Sequence, residues 1–320
     1  MSKNIIPKRI YLDTKDWITL ARVENGLETD YGLIEVLQKI KKLSESGEVV
    51  FPISFSHLED IMIRKDDESR NKLIDFIMSI SKGYVLQPYT FHMQEEVVNA
   101  ACHRLGYPSV YDIKSKILYK GLPFILSTGY EITAKNVPEE LIKKMKEEAE
   151  KPETMSKFLK DGEFSEYFRK DRKIIDGAAQ NMEKNRKEKM KIDKEKRFNE
   201  AIAHYIYDII CPHLAKFLIG ATKEQKDQII PKDKKSMEKF LEDMPATNVS
   251  FRLTYGRDEW YEREVQPNDI ADINHLAGAI PYCDIVVTEK TFGSLSQQLG
   301  LDKKYGCTVL RSLKELNKII

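Results

Sequence analysis

The sequence has few of the features that identify membrane proteins, disulfide-rich proteins or nucleotide-binding proteins with a glycine-rich loop. Only four of its 320 residues are cysteines, and Cys102, Cys211, Cys283 and Cys307 lack zinc-finger or thioredoxin spacing, so we expect buried free thiols. No apolar run approaches the ~18–20 residues of a membrane span, and no signal peptide is visible, so we expect a cytoplasmic protein with no membrane association. No glycine-rich loop follows the first predicted strand, which argues against a nucleotide-binding Rossmann domain.

The charge balance is almost neutral and selects no partner. The chain carries 52 basic and 51 acidic residues, for a formal net charge of +1, which neither supports nor excludes nucleic acid. Charged residues make up 32% of the chain, above the usual value of about 25%. A charge run over residues 182–197 is either a solvated helix with ion pairs or a basic arm.

Strands and helices alternate in two separate stretches of the chain. Residues 1–105 contain short apolar strands at 9–12, 49–53 and 84–86, each followed by helical periodicity. After residue 265 a helix to about 279, a strand at 285–288 and a last strand at 308–310 resume the alternation. This pattern predicts one parallel α/β sheet built from 1–105 and 265–320. Residues 106–264 are predicted to form a charged, mostly helical insertion, in which Pro212 is expected to break an apolar helix.

Acidic residues end the two strands that would form the centre of the sheet. Asp13 follows strand 9–12, and Glu289 follows strand 285–288. Parallel strands deliver such residues to one edge, where ligands bind. Carboxylates that are brought together repel each other unless they share a cation, and Mg²⁺ or Mn²⁺ suits oxygen ligands. Asp284 precedes its strand and is therefore predicted to be a structural residue at the opposite edge.

Other residues extend this predicted site. Three more acids are candidate metal ligands: Glu59 after the second strand, and Asp269 and Asp272, which share one helix face. Each acid also has an ordinary explanation as a helix cap, a first-turn charge or a surface residue. The residues expected to support the acids or to contact substrate are Thr14, Thr288 and His275, with Lys15 and Lys290 near a phosphate. Two alternatives are also considered: His275 could bond only to the backbone, and the two lysines could simply be solvated.

Four motifs in order resemble those of PIN domains, the PilT N-terminus nuclease superfamily. Residues 11–18 (YLDTKDWI) resemble the opening motif, and residues 52–59 (PISFSHLE) resemble the step that delivers the second acid. Residues 84–88 are similar to the third-strand segment. Residues 268–277 and 283–290 resemble the paired third and fourth acid motifs, with a separation of 289 − 272 = 17. The resemblance covers roughly half of the chain.

The resemblance implies a Rossmann-like, three-layer PIN fold with a parallel sheet of order 3-2-1-4-5. It implies an Mg²⁺- or Mn²⁺-dependent ribonuclease in which Asp13, Glu59 and Asp272 are core ligands and Glu289 is the fourth acid. The sequence departs from the family pattern in three ways. The fourth acid is Glu, where Asp is commoner; Asp269 competes with Asp272 for the third position; and the chain carries a large insertion.

Two functional hypotheses follow. The first is a metal-dependent endoribonuclease that acts on RNA, including structured RNA, as a toxin or phage-defence effector under a regulatory protein partner. The second is an inactive PIN-like scaffold that binds RNA or protein through the helical insertion. Either hypothesis is compatible with a homo-oligomer.

Overall fold

The computed structural model describes residues 7–126, 138–260 and 263–320, and helices dominate it. The strands are β1 (Lys8–Leu12), β2 (Val49–Val50), β3 (Tyr84–Leu86), β4 (Leu118–Lys120), β5 (Ile285–Val287) and β6 (Thr308–Leu310). The helices are α1 (Thr14–Glu24), α2 (Tyr31–Ser46), α3 (Phe55–Met62), α4 (Asp67–Ser81), α5 (Met93–Arg104), α6 (Ile113–Lys116), α7 (Leu122–Leu126), α8 (Glu139–Ala149), α9 (Pro152–Leu159), α10 (Gly162–Lys189), α11 (Lys194–His204), α12 (Cys211–Leu218), α13 (Lys223–Ile229), α14 (Lys234–Glu242), α15 (Pro245–Asp258), α16 (Pro267–Ala279), α17 (Lys290–Gln298), α18 (Leu301–Tyr305) and α19 (Leu313–Leu316).

The chain folds as two compact units. The first unit contains Met1–Pro88, Leu118–Ile174 and Gly278–Ile320, and the second contains Tyr89–Ile117 and Ile175–Ala277. This division differs from the predicted core at 1–105 and 265–320 and the predicted insertion at 106–264. Strand β4 pairs antiparallel with β3, which draws residues after 118 into the first unit. The apolar side of α5 packs instead in the core of the second unit, so residues 89–105 belong there.

The first unit is an α/β structure built on a four-stranded parallel sheet. The strand order is β2-β1-β5-β6, so the two predicted central strands are neighbours. In the register of this pair, Ile10 lies opposite Ile285 and Leu12 lies opposite Val287. Strands β3 and β4 form a separate antiparallel pair, and a single parallel bridge joins Ile53 to Val85. The predicted strand 49–53 therefore has regular pairing only over Val49–Val50.

Local sequence signals explain where the helices of the first unit begin and end. Asp30 caps α2 by accepting from the Leu33 N–H, and Gly47 ends it with a φ of 73°, a left-handed conformation that glycine adopts without steric cost. Asp66 caps α4, and Ser54 caps α3 in a reciprocal arrangement with His57. Apolar faces of α1, α2 and α4 then bury Trp17, Ile40 and other side chains in one core with the strand residues.

The second unit is helical and has its own apolar core. This core includes Val97 from α5, Ile202 from α11, Leu214 from α12 and Phe240 from α14. The prediction that Pro212 breaks the apolar helix was wrong. A π-helical segment, Tyr205–Ile210, connects α11 directly to α12, which contains the proline. A π-turn changes which carbonyl each N–H reaches, and this accommodates a proline that has no N–H to donate.

The charge run at residues 182–197 is neither wholly solvated nor a free basic arm. Arg186 is buried and makes two hydrogen bonds of 2.8 Å to Glu183, and Arg197 is buried against both oxygens of Glu259. These bidentate pairs hold two of the basic residues inside the second unit. Among the described residues, no helix combines the length and apolar content that a membrane span requires.

Candidate functional site

The ends of β1 and β5 bring the first two predicted acids to one edge of the sheet. The Asp13 N–H donates to the Val287 carbonyl at 3.0 Å, which extends the β1–β5 ladder by one bond. Asp13 is then the N-cap of α1, and Glu289 occupies the N-cap position of α17. Because adjacent parallel strands end together, both carboxylates lie at the carboxyl edge of the first unit. Asp284 accepts from the Arg9 N–H at 2.7 Å at the other edge, which confirms its predicted structural role.

Asp16 adds a buried carboxyl beside Asp13. Both side chains are more than nine-tenths buried, and Asp16 Oδ2 has no hydrogen-bond partner among the described residues. Burial raises the pKa of Asp16 from its usual 3.8 to about 8; Lys15 opposes this shift and the charge of Asp13 adds to it. A carboxylate in this position is costly without a cation, so the pair is the most strained electrostatic feature of this edge.

Helix α3 contributes Asp60 to this edge. The Thr14 hydroxyl donates to Asp60 Oδ2 at 2.7 Å, and Glu59, the neighbouring predicted ligand, is half-buried. His57 positions the helix: its Nδ1 accepts from the Ser54 N–H at 2.9 Å, and its Nε2–H donates to the Leu12 carbonyl at 2.7 Å. These two bonds define a neutral tautomer that ties the start of α3 to the end of β1.

Glu289 is a second carboxylate without a fixed partner. It is half-buried, and within the described residues its side chain caps no N–H and joins no ion pair. The preceding Thr288 is buried, and its hydroxyl donates to Asp13 Oδ2 at 3.4 Å. Helix α17 can approach this threonine because residue 293 is glycine: a Cβ there would lie 3.2 Å from Thr288 Cγ2 and 3.0 Å from Arg311 Cγ.

The two predicted phosphate-binding lysines lie next to these acids in the chain. Lys15 follows Thr14 in the first turn of α1, and Lys290 begins α17 immediately after Glu289. Both side chains are exposed, and neither makes a hydrogen bond or ion pair with the part of the chain that the structure describes. Unpaired ammonium groups beside an acidic edge are suited to a polyanionic ligand that would otherwise be repelled.

The remaining predicted site residues, Asp269, Asp272 and His275, belong to α16 in the second unit. Asp269 is fully buried and already satisfied: Oδ1 accepts from Arg263 at 2.6 Å, and Oδ2 accepts from the Gln266 N–H at 2.9 Å. Arg257 lies 3.5 Å from the same Oδ2. This arrangement caps the helix and balances the charge of Asp269, and the choice of Asp269 or Asp272 as the third acid stays a prediction. Asp272 is half-buried and His275 is buried.

Asp16 and Asp60 are the residues that sequence reasoning missed. Asp16 follows Asp13 by three residues, the spacing that places two side chains on one helix face. The same spacing pointed to Asp269 and Asp272, so a usable signal existed for Asp16. Asp60 is adjacent to Glu59, and only the helix phase that His57 sets distinguishes the two.

The acidic edge fits a hard divalent cation of the kind that takes few protein ligands. Within residues 7–126, 138–260 and 263–320, no group of three or more His, Cys, Asp or Glu side chains is arranged to hold a metal. Mg²⁺ often uses only one or two carboxylates and completes its shell with water and substrate phosphates. Asp13 together with Asp16, whose buried oxygen lacks a partner, matches that smaller donor set.

No protein-family profile matches the chain, and comparison with curated proteins and with solved structures finds no match either. The resemblance to PIN domains therefore rests on the sequence motifs alone.

Proposed function

We propose that the chain is a metal-dependent endoribonuclease with a PIN-like catalytic core. The observation that carries the proposal is the buried pair Asp13 and Asp16 at the carboxyl edge of the sheet, where Asp16 Oδ2 has no hydrogen-bond partner among the described residues. Glu289 and the exposed Lys15 and Lys290 surround that edge with the groups that phosphodiester chemistry needs. A structural role would favour paired carboxylates, as at Asp269.

The sheet supports the finer fold proposal. Its order, β2-β1-β5-β6, together with the parallel bridge from Ile53 to Val85, is what a 3-2-1-4-5 sheet would give if β3 extends it beyond β2. In that comparison β5 and β6 are the fourth and fifth strands. We propose this order, with helices on both faces as a three-layer sandwich.

In the proposed reaction, Asp13 and Asp16 hold Mg²⁺ or Mn²⁺, and Glu289 is the third carboxylate of the edge. A bound divalent ion lowers the pKa of water and neutralises charge that builds on a phosphate. The Thr288 hydroxyl holds Asp13 Oδ2 in place, and the Thr14 hydroxyl orients Asp60. Lys15 and Lys290 bind the non-bridging oxygens of the substrate backbone. Glu59 stays a predicted ligand of this edge, and the roles that the family pattern gives to Asp272 and His275 stay predictions.

An inactive scaffold is the second candidate, and one observation favours it. Among the described residues, no group of three or more metal-binding side chains is found. An active metal site with several protein ligands would contain such a group. In this case RNA or a protein would bind without turnover. The proposed setting of the nuclease is toxin or phage-defence activity under a regulatory protein partner.

The deciding experiment combines calorimetry with cleavage of total RNA. Wild-type protein is titrated with Mn²⁺ and with Mg²⁺ beside the Asp13→Asn and Asp16→Asn variants, and Asp284→Asn at the opposite edge serves as the control. We expect metal binding and cleavage in wild type and control, and loss of both in the two variants and in EDTA. Cleavage that survives EDTA and Asp13→Asn would refute the nuclease proposal, and absent metal binding throughout would favour the scaffold.

A further inference from the structure

A cavity of the first unit lies away from the acidic edge, between the second half of α1 and the start of α4. It encloses about 490 Å³, within the range of about 300–1,000 Å³ that small-ligand sites occupy. We call it the α1–α4 cavity. One wall is apolar, formed by Ile18, Ala21, Leu27 and Leu73. Leu27 is 68% exposed, so this wall offers solvent an apolar surface that nothing in the described chain covers.

The polar wall contains two guanidinium groups that the fold leaves nearly unused. Arg22 is exposed and makes no hydrogen bond or ion pair with the described residues. Within the described residues, the Arg64 guanidinium donates only one long bond, 3.5 Å to the Ser69 hydroxyl. An arginine can donate five hydrogen bonds in a planar fork, so both retain most of their capacity.

The acids of the cavity do not cancel these cations. Glu68 is engaged by Lys72 at 2.6 Å. Asp66 Oδ1 accepts from the N–H groups of Glu68 and Ser69 as the cap of α4. Lys72 is matched by Glu68, and Asp66 leaves one negative charge against the two arginines, so the lining carries a net charge of 3 − 2 = +1. The cavity therefore attracts an anion that also has an apolar face.

We propose that the α1–α4 cavity binds a nucleotide, with Arg22 and Arg64 on the phosphate and the apolar wall against the base. Arginine pairs bind phosphate in a bidentate manner, and bases pack on apolar and aromatic surfaces. An acidic peptide would satisfy the arginines but would leave the apolar wall and its exposed leucine without a function. The assignment to RNA, rather than to a free nucleotide, rests on the proposed nuclease function.

The position of the cavity suits a strand of RNA that also reaches the acidic edge. Arg22 lies nine residues after Asp13 on the same helix, which corresponds to a rise of about 13 Å. A few nucleotides of single strand bridge that distance. In this arrangement the cavity holds a nucleotide away from the scissile bond and selects single-stranded substrate, because a paired base could not turn its face to the wall.

The test measures binding without cleavage, in EDTA, by fluorescence anisotropy. The probes are a short fluorescein-labelled single-stranded RNA, the same RNA in a duplex, AMP as competitor, and an oligo-aspartate peptide of matched charge. The variants are Arg22→Ala with Arg64→Ala, and Leu27→Asp. The control, Lys42→Ala with Lys157→Ala, removes the same charge from exposed positions outside this cavity. Circular dichroism confirms folding of each.

We expect the double arginine variant to bind single-stranded RNA at least tenfold more weakly than the control. The slope of log affinity against log salt should fall by about 0.7 for each phosphate contact removed. Leu27→Asp should also weaken binding, because it removes the apolar contact and its carboxylate repels the phosphate. If AMP competes with the labelled RNA for wild type but not for the arginine variant, the cavity is a site for a free nucleotide. If RNA binds and AMP does not compete, the cavity binds a nucleotide within an RNA strand.

Three results would overturn the proposal: wild type that binds neither RNA nor AMP, an arginine variant that binds like the control, or selective loss of peptide binding alone. Parallel cleavage assays separate this proposal from the nuclease proposal. If RNA binding depends on both arginines but the protein cleaves no RNA with Mn²⁺, the cavity proposal is supported and the nuclease proposal is refuted. If the protein cleaves RNA with metal but the arginine variant binds RNA like wild type, the nuclease proposal is supported and the cavity proposal is refuted.

Discussion

The two units bury acidic residues in opposite ways. In the second unit, Asp269 is matched by Arg263 and a backbone N–H, and Glu96 accepts from Ala246, Thr247 and the Thr247 hydroxyl at the start of α15. Asp258, whose pKa burial raises to about 6, makes no hydrogen bond through Oδ1 among the described residues but has the Arg257 guanidinium within 3.4 Å. In the first unit, Asp13 and Asp16 share an edge without an ion pair among the described residues, and Asp16 Oδ2 has no hydrogen-bond partner there.

The difference distinguishes buried acids that stabilise the fold from buried acids that lower its stability. A matched buried carboxylate contributes to the fold, and removing it leaves an uncompensated partner. An unmatched one costs stability, and proteins retain such strain chiefly at functional sites. The contrast supports the acidic edge of the first unit as the reactive surface, and it generates predictions of opposite sign for chemically identical substitutions.

The largest expected effect is on activity, from Asp13→Asn. We expect the rate of RNA cleavage to fall by more than a hundredfold, because loss of a group that only supports a metal ligand already costs about 10–100-fold. Single-turnover cleavage of a labelled RNA in Mn²⁺ measures it. Asp269→Asn, measured at a temperature where it is folded, should retain cleavage within a few-fold; equal losses in both variants would remove the contrast between the units.

The next effect is on stability, from Asp269→Asn. Removing this carboxylate leaves the buried Arg257 and the half-buried Arg263 without their shared partner, and we expect a loss of about 3–5 kcal/mol in the free energy of unfolding. Urea denaturation measures it. Asp227→Asn, which breaks an exposed pair with Lys232, should cost less than about 1 kcal/mol. A loss no greater than that of the control would show that the network is not stabilising.

Asp16→Asn should change stability in a pH-dependent way. The folded state keeps the Asp16 proton up to about pH 8, whereas the unfolded state releases it near its usual 3.8. Stability should therefore fall as pH rises between these values, and the variant should lose that fall. We expect a higher Tm than wild type at pH 8, by roughly 3 °C per kcal/mol regained, and little difference at pH 4. Asp227→Asn is the control, and parallel pH profiles of Tm for wild type and Asp16→Asn would contradict the assignment.

The smallest effect concerns Gly293. An added methyl group would meet Thr288 Cγ2 at 3.2 Å and Arg311 Cγ at 3.0 Å, so both side chains must shift by a few tenths of an ångström. We expect Gly293→Ala to cost about 1 kcal/mol and to lower cleavage a few-fold through the displaced Thr288. Gly278→Ala meets no described atom within 4 Å and should stabilise its helix by about 0.5–1 kcal/mol. A stabilised Gly293→Ala would show that the packing relaxes freely.

Much of the first unit could be predicted from short-range signals. The periodicity of α2 and its Gly47 terminus, the pairing of β1 with β5, and the placement of Asp13 and Glu289 at one edge all follow from local patterns and parallel topology. The antiparallel β3–β4 pair and the return of residues 118–174 to this unit could not be predicted, because they depend on contacts between segments with no distinctive sequence.

The site was predictable in outline but not in detail. Strand ends identify Asp13, whereas the choice between Glu59 and Asp60 depends on the rotation of α3, which the two hydrogen bonds of His57 fix. Likewise, Asp269 and Asp272 look equivalent in the sequence until Arg257 and Arg263 are seen to engage the first. Tertiary partners, rather than spacing, show that Asp269 is held in an ion-pair network.

The pairing of β1 with β5 has a consequence for how the protein comes into being. Asp13 and Thr288 lie 275 residues apart in the chain but are hydrogen-bonded in the folded protein. During synthesis the first strand leaves the ribosome long before its neighbour exists, and closing so long a loop is slow. The acidic edge therefore forms only after β5 has been synthesised, and a chain that ends before β5 lacks half of it.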